Sequence, residues 1–100
     1  MIYFTQLIYI KEGSEHLFFE FEDVALPLLW KYNGKLLLRI RPTSSTFVES
    51  AIEQPFEIHL VSFETERDFE QFQQDEERKS YLHLKDQSVK SVVLIRGIQI

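Results

Sequence analysis

The sequence predicts a single α+β domain whose strands and helices follow the order β-α-β-β-α-β. Two observations carry this prediction. Segments rich in β-branched and aromatic residues lie at both ends of the chain and twice in its middle, as is typical of strands. Apolar residues recur at helical spacing after the first and third of these segments. With 100 residues, 44% of them hydrophobic, the chain is long enough to form one core.

The first half of the chain is predicted to contain a strand and a helix. Residues 2–10 form the strand, which is apolar on both faces. Helical spacing follows over residues 17–32. Its acidic side chains are expected on the solvent side, namely Glu20, Glu22 and Asp23. Because Pro27 has no N–H to donate, we expect a kink or a short break there. The pair Asn33-Gly34 predicts a left-handed cap.

The second half is predicted to hold three strands and a further helical region. Residues 35–41 and 56–63 form the second and third strands, with a weaker extended segment between them at 46–52. Alternation along the second strand places Leu36, Leu38 and Ile40 on one face. A helical region begins after Thr65, which forms a capping box with Asp68, and a second cap is expected at Asp75. The helical region continues to about Lys85 and is followed by a turn. Residues 89–98 form the last strand.

The order of these elements predicts how they pack. Right-handed crossovers favour a ferredoxin-like arrangement, in which a four-stranded antiparallel sheet carries both helices on one face. The first and last strands are apolar on both faces, so one helix layer leaves a large apolar face uncovered. We therefore expect a homodimer in which a second copy, related by a twofold axis, covers that face.

Several short motifs occur in an order that resembles a known group. They are Phe19 to Glu22, Pro27, Tyr32-Asn33-Gly34 leading into Lys35, Arg39, Glu49, Ser62 to Glu66, and Tyr81. The chain is similar in these motifs to the dimeric α/β-barrel superfamily, and closest to its small bacterial families of unknown function. Asn33 and Ser50 stand where the pattern has glycine. The resemblance covers nearly the whole chain and implies the ferredoxin-like fold and a dimer. It also implies that Tyr32 and Glu49 are candidate ligand-binding residues.

Strand alternation predicts one candidate site. It places Arg39, Arg41 and His59 on the face of two neighbouring strands that points away from the helices. Arginines beside a histidine predict binding of an anion or a carboxylate, and the histidine is the candidate catalytic residue for proton transfer. The alternative is an ordinary polar patch in which Arg39 or Arg41 pairs with Glu49 or Glu57.

The composition argues against several other functions. The absence of cysteine excludes disulfides, thiolate metal sites and a cysteine nucleophile. A net charge of −5 disfavours nucleic acid as a partner. No apolar run approaches the roughly 20 residues of a membrane helix, and no signal peptide is visible after Met1, so a cytoplasmic location and no membrane partner are expected.

We also expect neither a metal nor a cofactor. Glu57 and His59 share a strand face with metal-ligand spacing, but the sequence shows no third ligand for them. With three glycines in the chain, neither a phosphate loop nor a Gly-x-Ser-x-Gly elbow is present.

Two functional hypotheses follow, and the sequence leaves open whether the protein is an enzyme. The first is a small-molecule-binding protein. The superfamily that the chain resembles includes monooxygenases and isomerases, so the resemblance is compatible with cofactor-free enzyme activity. The second is a non-catalytic homodimeric interaction or regulatory domain. A pocket between the sheet and the helices, lined by Arg39 or His59, would favour the first hypothesis, and a filled face with these side chains paired would favour the second.

Overall fold

Four strands form one antiparallel sheet in a computed structural model that describes residues 1–100. The strands are β1 (Ile2–Ile10), β2 (Gly34–Ile40), β3 (Glu57–Phe63) and β4 (Val89–Gly97). Their order across the sheet is β2-β3-β1-β4, and every neighbouring pair is antiparallel. This is the predicted ferredoxin-like arrangement.

Short helices form a second layer on one face of the sheet. They are α1 (Glu15–Ala25), a 3₁₀ helix at Pro27–Tyr32, α2 (Glu66–Gln73), α3 (Glu76–Ser80) and α4 (Leu82–Ser88). The molecule measures only 16 Å along its shortest axis, as expected for one sheet and one helix layer. No helix is long and apolar enough to cross a lipid bilayer.

The first helical region changes type at the predicted position. The α-helix ends at Ala25, and Pro27 begins a 3₁₀ helix because proline cannot donate the next α-helical hydrogen bond. Leu26 between them keeps α-helical dihedral angles, so the chain continues without a sharp turn. Asn33 then has a φ of 57°, which confirms the left-handed cap.

Side-chain caps begin the helices of the second half. Thr65 and Asp68 form the predicted capping box of α2, and the carboxylate of Asp75 accepts a hydrogen bond from the Arg78 backbone N–H at the start of α3. The helical region extends to Ser88, where a turn was expected.

The predicted extended segment at 46–52 is wrong. A 3₁₀ turn at Ser44–Thr46 occupies its start, and residues 47–56 form no regular element. The reason is local, since Thr43 and Thr46 cap each other's backbone N–H groups and close the turn before a strand can begin.

Strand β2 contains an irregularity that sets which side chains face the helices. Leu36 pairs with Val61 but Leu38 pairs with Leu60, so one extra residue is accommodated between them. The simple alternation predicted for this strand, with Leu36 and Leu38 on one face, is therefore wrong. The irregularity brings Leu36 and Arg39 to the same side of the sheet.

The core divides into two apolar clusters beneath the helices. The first comprises Phe4, Leu29, Val61 and Phe63, and the second comprises Phe21, Ala25 and Leu84. Both clusters contribute to the wall of a cavity that lies between the sheet and the helices.

Candidate functional site

His59 lies on the helix-covered face of the sheet, and its expected position on the opposite face is wrong. Val61 and Phe63 share this face of β3 with His59 and are core residues. Arg39 pairs with His59 across β2 and β3 and lies on the same side. Arg41 is there too, since its guanidinium contacts the carboxylate of Glu57. The prediction that these polar side chains share one face holds, but the face is the other one.

A fully buried carboxylate organises this cluster. The Oε1 atom of Glu57 lies 2.6 Å from His59 Nε2 and 2.7 Å from Arg39 Nε. Its Oε2 atom accepts a hydrogen bond from Arg41 Nε at 2.6 Å. The alternative considered from sequence, an arginine paired with Glu57, is what the structure contains for both arginines. Neither arginine lines the cavity.

These hydrogen bonds determine the charge of Glu57. Burial alone would raise its pKa, but the bonds from His59, Arg39 and Arg41 outweigh burial and lower the pKa from 4.5 to about 2. Glu57 is therefore an ionised carboxylate that only accepts hydrogen bonds. The hydrogen of a neutral His59 ring must then lie on Nε2, which leaves the Nδ1 lone pair available.

A second carboxylate faces the other nitrogen of this ring. Oε2 of Glu22 on α1 lies 3.9 Å from His59 Nδ1, which is beyond hydrogen-bonding distance. Glu22 is buried, and burial raises its pKa, although the electrostatic interactions with His59 and Arg39 act in the opposite direction. Its assignment to the solvent side was wrong. Helical spacing contained the signal, because Phe18, Glu22 and Ala25 lie four and three residues apart on one buried stripe.

The cavity beside His59 has a volume of about 220 Å³. Most of its wall is apolar and aromatic, and its polar lining residues are Gln6, Glu22, His59, Gln73, Arg78 and Lys85. Three lining residues, Gln73, Val92 and Leu94, are exposed to solvent and place the opening beside the edge strand β4. A mainly apolar pocket with a few polar groups is typical of small-molecule sites.

Two candidate ligand-binding residues lie elsewhere. The hydroxyl of Tyr32 donates a hydrogen bond to the buried carboxylate of Asp75, which also accepts one from Lys31. The hydrogen bond from Tyr32 contributes most, followed by the one from the backbone N–H of Arg78, and together with the bond from Lys31 they lower the pKa of Asp75 to about 2. Glu49 is exposed in the irregular segment after β2 and pairs with no basic side chain. The structure thus brings together His59, Arg39 and Arg41 but neither Tyr32 nor Glu49.

No protein-family profile and no curated protein sequence matches the chain. Solved structures do match over almost its whole length. A protein of unknown function from Rhodopseudomonas palustris has a TM-score of 0.83 at 11% identity, covering 99% of this chain and 82% of its own. A DABB family protein with a ferredoxin-like fold from Mesorhizobium loti has a TM-score of 0.68 at 13% identity, covering 99% and 96%.

A third similar structure carries a suggested activity. It is a protein from Nitrosomonas europaea proposed to be an antibiotic biosynthesis monooxygenase, with a TM-score of 0.69 at 10% identity, covering 100% of this chain and 99% of its own. At these identities the likeness concerns the fold. The chain has the ferredoxin-like fold.

Proposed function

We propose that the protein binds a small, largely apolar molecule in the cavity between sheet and helices, and that His59 exchanges a proton with it. One observation carries the proposal: the imidazole of His59 is buried, lines the cavity, and contacts the Glu57 carboxylate through Nε2. A carboxylate that orients an imidazole in this way is a common arrangement for general acid–base catalysis.

The chemistry that fits is cofactor-free proton transfer at a carbon next to a carbonyl. The Nδ1 lone pair takes a proton from that carbon, and the bonding electrons move into the carbonyl to give an enolate. The ionised Glu57 stabilises the resulting imidazolium through its contact with Nε2. Return of the proton to a different atom completes an isomerisation, and the enolate is also the electron-rich species that an oxygenase of the monooxygenase type requires.

Arg39 and Arg41 act through Glu57 in this proposal. Their Nε atoms donate to the carboxylate, and they help to keep it ionised beside His59. They are positioning residues, because the cavity wall does not include them. From the sequence we expected Arg39 to contact a ligand directly. In this proposal Arg39 instead acts indirectly, by keeping Glu57 ionised beside His59.

The protein is also proposed to be a homodimer. The sheet face without helices exposes a group of large apolar side chains that comprises Leu38, Ile40, Val93 and Ile95. A second copy is the simplest way to cover such a face. A purely non-catalytic dimer remains the second candidate function, but the dimer face and the buried Glu22–His59–Glu57 group lie on opposite sides of the sheet. Dimer formation therefore gives no reason for burying three ionisable side chains.

Deuterium exchange tests the proposed function directly. Phenylacetone carries a methylene group between an aromatic ring and a carbonyl, and it is small enough for the cavity. We expect the protein in D₂O to accelerate exchange of those methylene protons, followed by proton NMR. His59→Asn should reduce the acceleration about a hundredfold or more, since general acid–base groups contribute about 10² to 10⁴.

His83→Asn is the matched control, because His83 is exposed on α4 and should leave the rate unchanged. Equal exchange rates for the wild type and His59→Asn would refute the assigned role of His59. Absence of both binding and exchange would refute the proposed function.

A further inference from the structure

We infer that Arg78 anchors an anionic group of the ligand, so that the cavity takes small apolar carboxylates. The inference rests on the proposed function and names its ligand class. Four features of the cavity support it: the position of Arg78, the free donor on its side chain, the balance of charge in the wall, and the size of the space.

Arg78 is held in place by aromatic rings. Its guanidinium carbon lies 5.1 Å from the centre of the Phe72 ring and 5.9 Å from that of Phe21. Both rings and Arg78 belong to the cavity wall. Cation–π contacts of this kind orient the planar guanidinium without using its N–H donors. One donor, on Nη1, reaches the carbonyl oxygen of Gln73 at 3.3 Å.

The Nε atom of Arg78 is buried and has no hydrogen-bond partner in the protein. Three other arginines differ from Arg78, because Arg39 and Arg41 donate from Nε to Glu57 and Arg96 pairs with Glu66. A buried donor without an acceptor is costly, and a carboxylate oxygen is the acceptor that fits a guanidinium edge. Arg78 thus has a donor that a bound carboxylate would satisfy.

The charges in the cavity wall favour an anion. The wall contains two cationic side chains, Arg78 and Lys85, and one carboxylate, Glu22. Burial raises the pKa of Glu22 and lowers the pKa of Lys85, so it disfavours both of these charges, whereas Arg78 keeps its charge because arginine is not deprotonated in proteins. Positive charge therefore exceeds negative charge here, although the whole chain carries a net charge of −5. A ligand anion would offset the excess inside a poorly solvated space.

The size and lining define the rest of the ligand. The volume of about 220 Å³ lies below the roughly 300–1,000 Å³ of drug-sized sites, so the ligand is small. Phe4, Phe18 and Phe63 also line the cavity and favour an aromatic or aliphatic ligand body. His59 lies in the same wall as Arg78. A keto acid with an apolar substituent therefore combines the features that the cavity can recognise.

Two matched probes test the inference. Phenylpyruvate has the aromatic ring, methylene group and carbonyl of phenylacetone, with a carboxylate in place of the methyl group. We expect isothermal titration at low salt to show wild-type protein binding phenylpyruvate at least about tenfold more tightly than phenylacetone, as is ordinary for a hydrogen bond to a charged group. Arg78→Gln should lose this preference, whereas Arg67→Gln, on the exposed side of α2, should keep it.

Equal affinity of the wild type for both probes, or a preference retained by Arg78→Gln, would overturn the role of Arg78. His59-dependent exchange of phenylacetone would still stand in that case, so the two failures are distinguishable. If Arg78→Gln does not fold, NMR of the wild type decides. Addition of phenylpyruvate should shift the Arg78 Nε–H resonance downfield and phenylacetone should not, and an unshifted resonance at saturation would overturn the inference.

Discussion

At the residue scale, the central feature of the candidate site is the carboxylate of Glu57, which has no contact with solvent. Glu57 is fully buried and receives hydrogen bonds from one imidazole and two guanidinium groups. The arginines retain contact with solvent, since 29% of the Arg39 side chain and 51% of the Arg41 side chain are exposed. Within this cluster the carboxylate is therefore shielded from solvent, whereas the guanidinium groups of the two arginines are partly solvated. Such an arrangement keeps Glu57 ionised in an otherwise apolar layer.

A pH-dependent stability follows from the lowered pKa of Glu57. Because the folded pKa is about 2 and the ordinary value is 4.5, the ionised form stabilises the fold above about pH 4.5, and this contribution disappears as the pH falls toward 2. It amounts to at most about 3 kcal/mol at neutral pH. We expect Glu57→Gln to be less stable than the wild type in urea unfolding at pH 7, with a difference that shrinks between pH 5 and pH 2.5.

Comparison of the two proteins isolates Glu57 from the other acids. Asp75 also has a lowered pKa and loses stabilisation over the same range, while the raised pKa of Glu22 acts in the opposite direction. Both remain in wild type and variant, so their contributions largely cancel. A stability difference that stays constant from pH 7 to pH 2.5 would contradict the assigned ionisation of Glu57.

At the scale of elements, the connection from the first helical region into β2 is the most tightly constrained part of the chain. Asn33 takes the left-handed conformation, and Gly34 then starts the strand against the aromatic core. A Cβ atom at Gly34 would lie 2.8 Å from the Phe63 ring and 2.9 Å from the carbonyl oxygen of Leu29. The backbone carbonyl cannot move away without distorting the 3₁₀ helix.

Gly34→Ala should therefore destabilise the protein by about 2 kcal/mol, as overpacking in a core typically does. Thermal unfolding followed by circular dichroism measures the effect. Gly97→Ala is the matched control, because no atom lies within 4 Å of a Cβ built at that end of β4. Equal melting temperatures for the two variants would show that the Phe63 ring and the Leu29 carbonyl can move aside to accommodate a Cβ atom at little cost, contrary to this prediction.

At the scale of the whole molecule, the two faces of the sheet differ in how far they are covered. The helix-covered face holds the cavity and the ionisable cluster, while the other face leaves Leu38, Ile40, Val93 and Ile95 between 39% and 50% exposed. A thin molecule with one sheet and one helix layer cannot cover both faces by itself. Association through the free face would complete the burial without obstructing the cavity on the other side.

We expect light scattering at micromolar concentration to give about twice the mass of the 12.0 kDa chain. The double substitution of Val93→Lys and Ile95→Lys places charge on the free face and should produce a folded monomer. Trp30→Lys is the control, because this side chain is 69% exposed on the 3₁₀ helix outside that face. A monomeric wild type, or a double variant that remains dimeric, would rule out this interface.

The sequence by itself determined the features that depend on near neighbours. The sequence predicted the four strand segments, an interruption of the first helical region at Pro27, the left-handed Asn33 and the caps at Thr65 and Asp75. Each depends on side-chain chemistry within a few residues, so local periodicity and backbone hydrogen bonding were sufficient. The grouping of Arg39 with His59 followed from the same local rules applied to paired strands.

Only the tertiary structure decided which face became the core and where the cavity lies. Both faces of β1 and β4 are apolar, so the pattern could not tell which of them the helices would cover. The extra residue near Leu37 reverses the side-chain alternation within β2, and no turn signal marks it. Arg78 and His59 line one cavity only because α3 packs beside α1 and α4, an arrangement between elements that local patterns do not show. Contacts of this range depend on the relative free energy of whole packing arrangements, which local patterns do not contain.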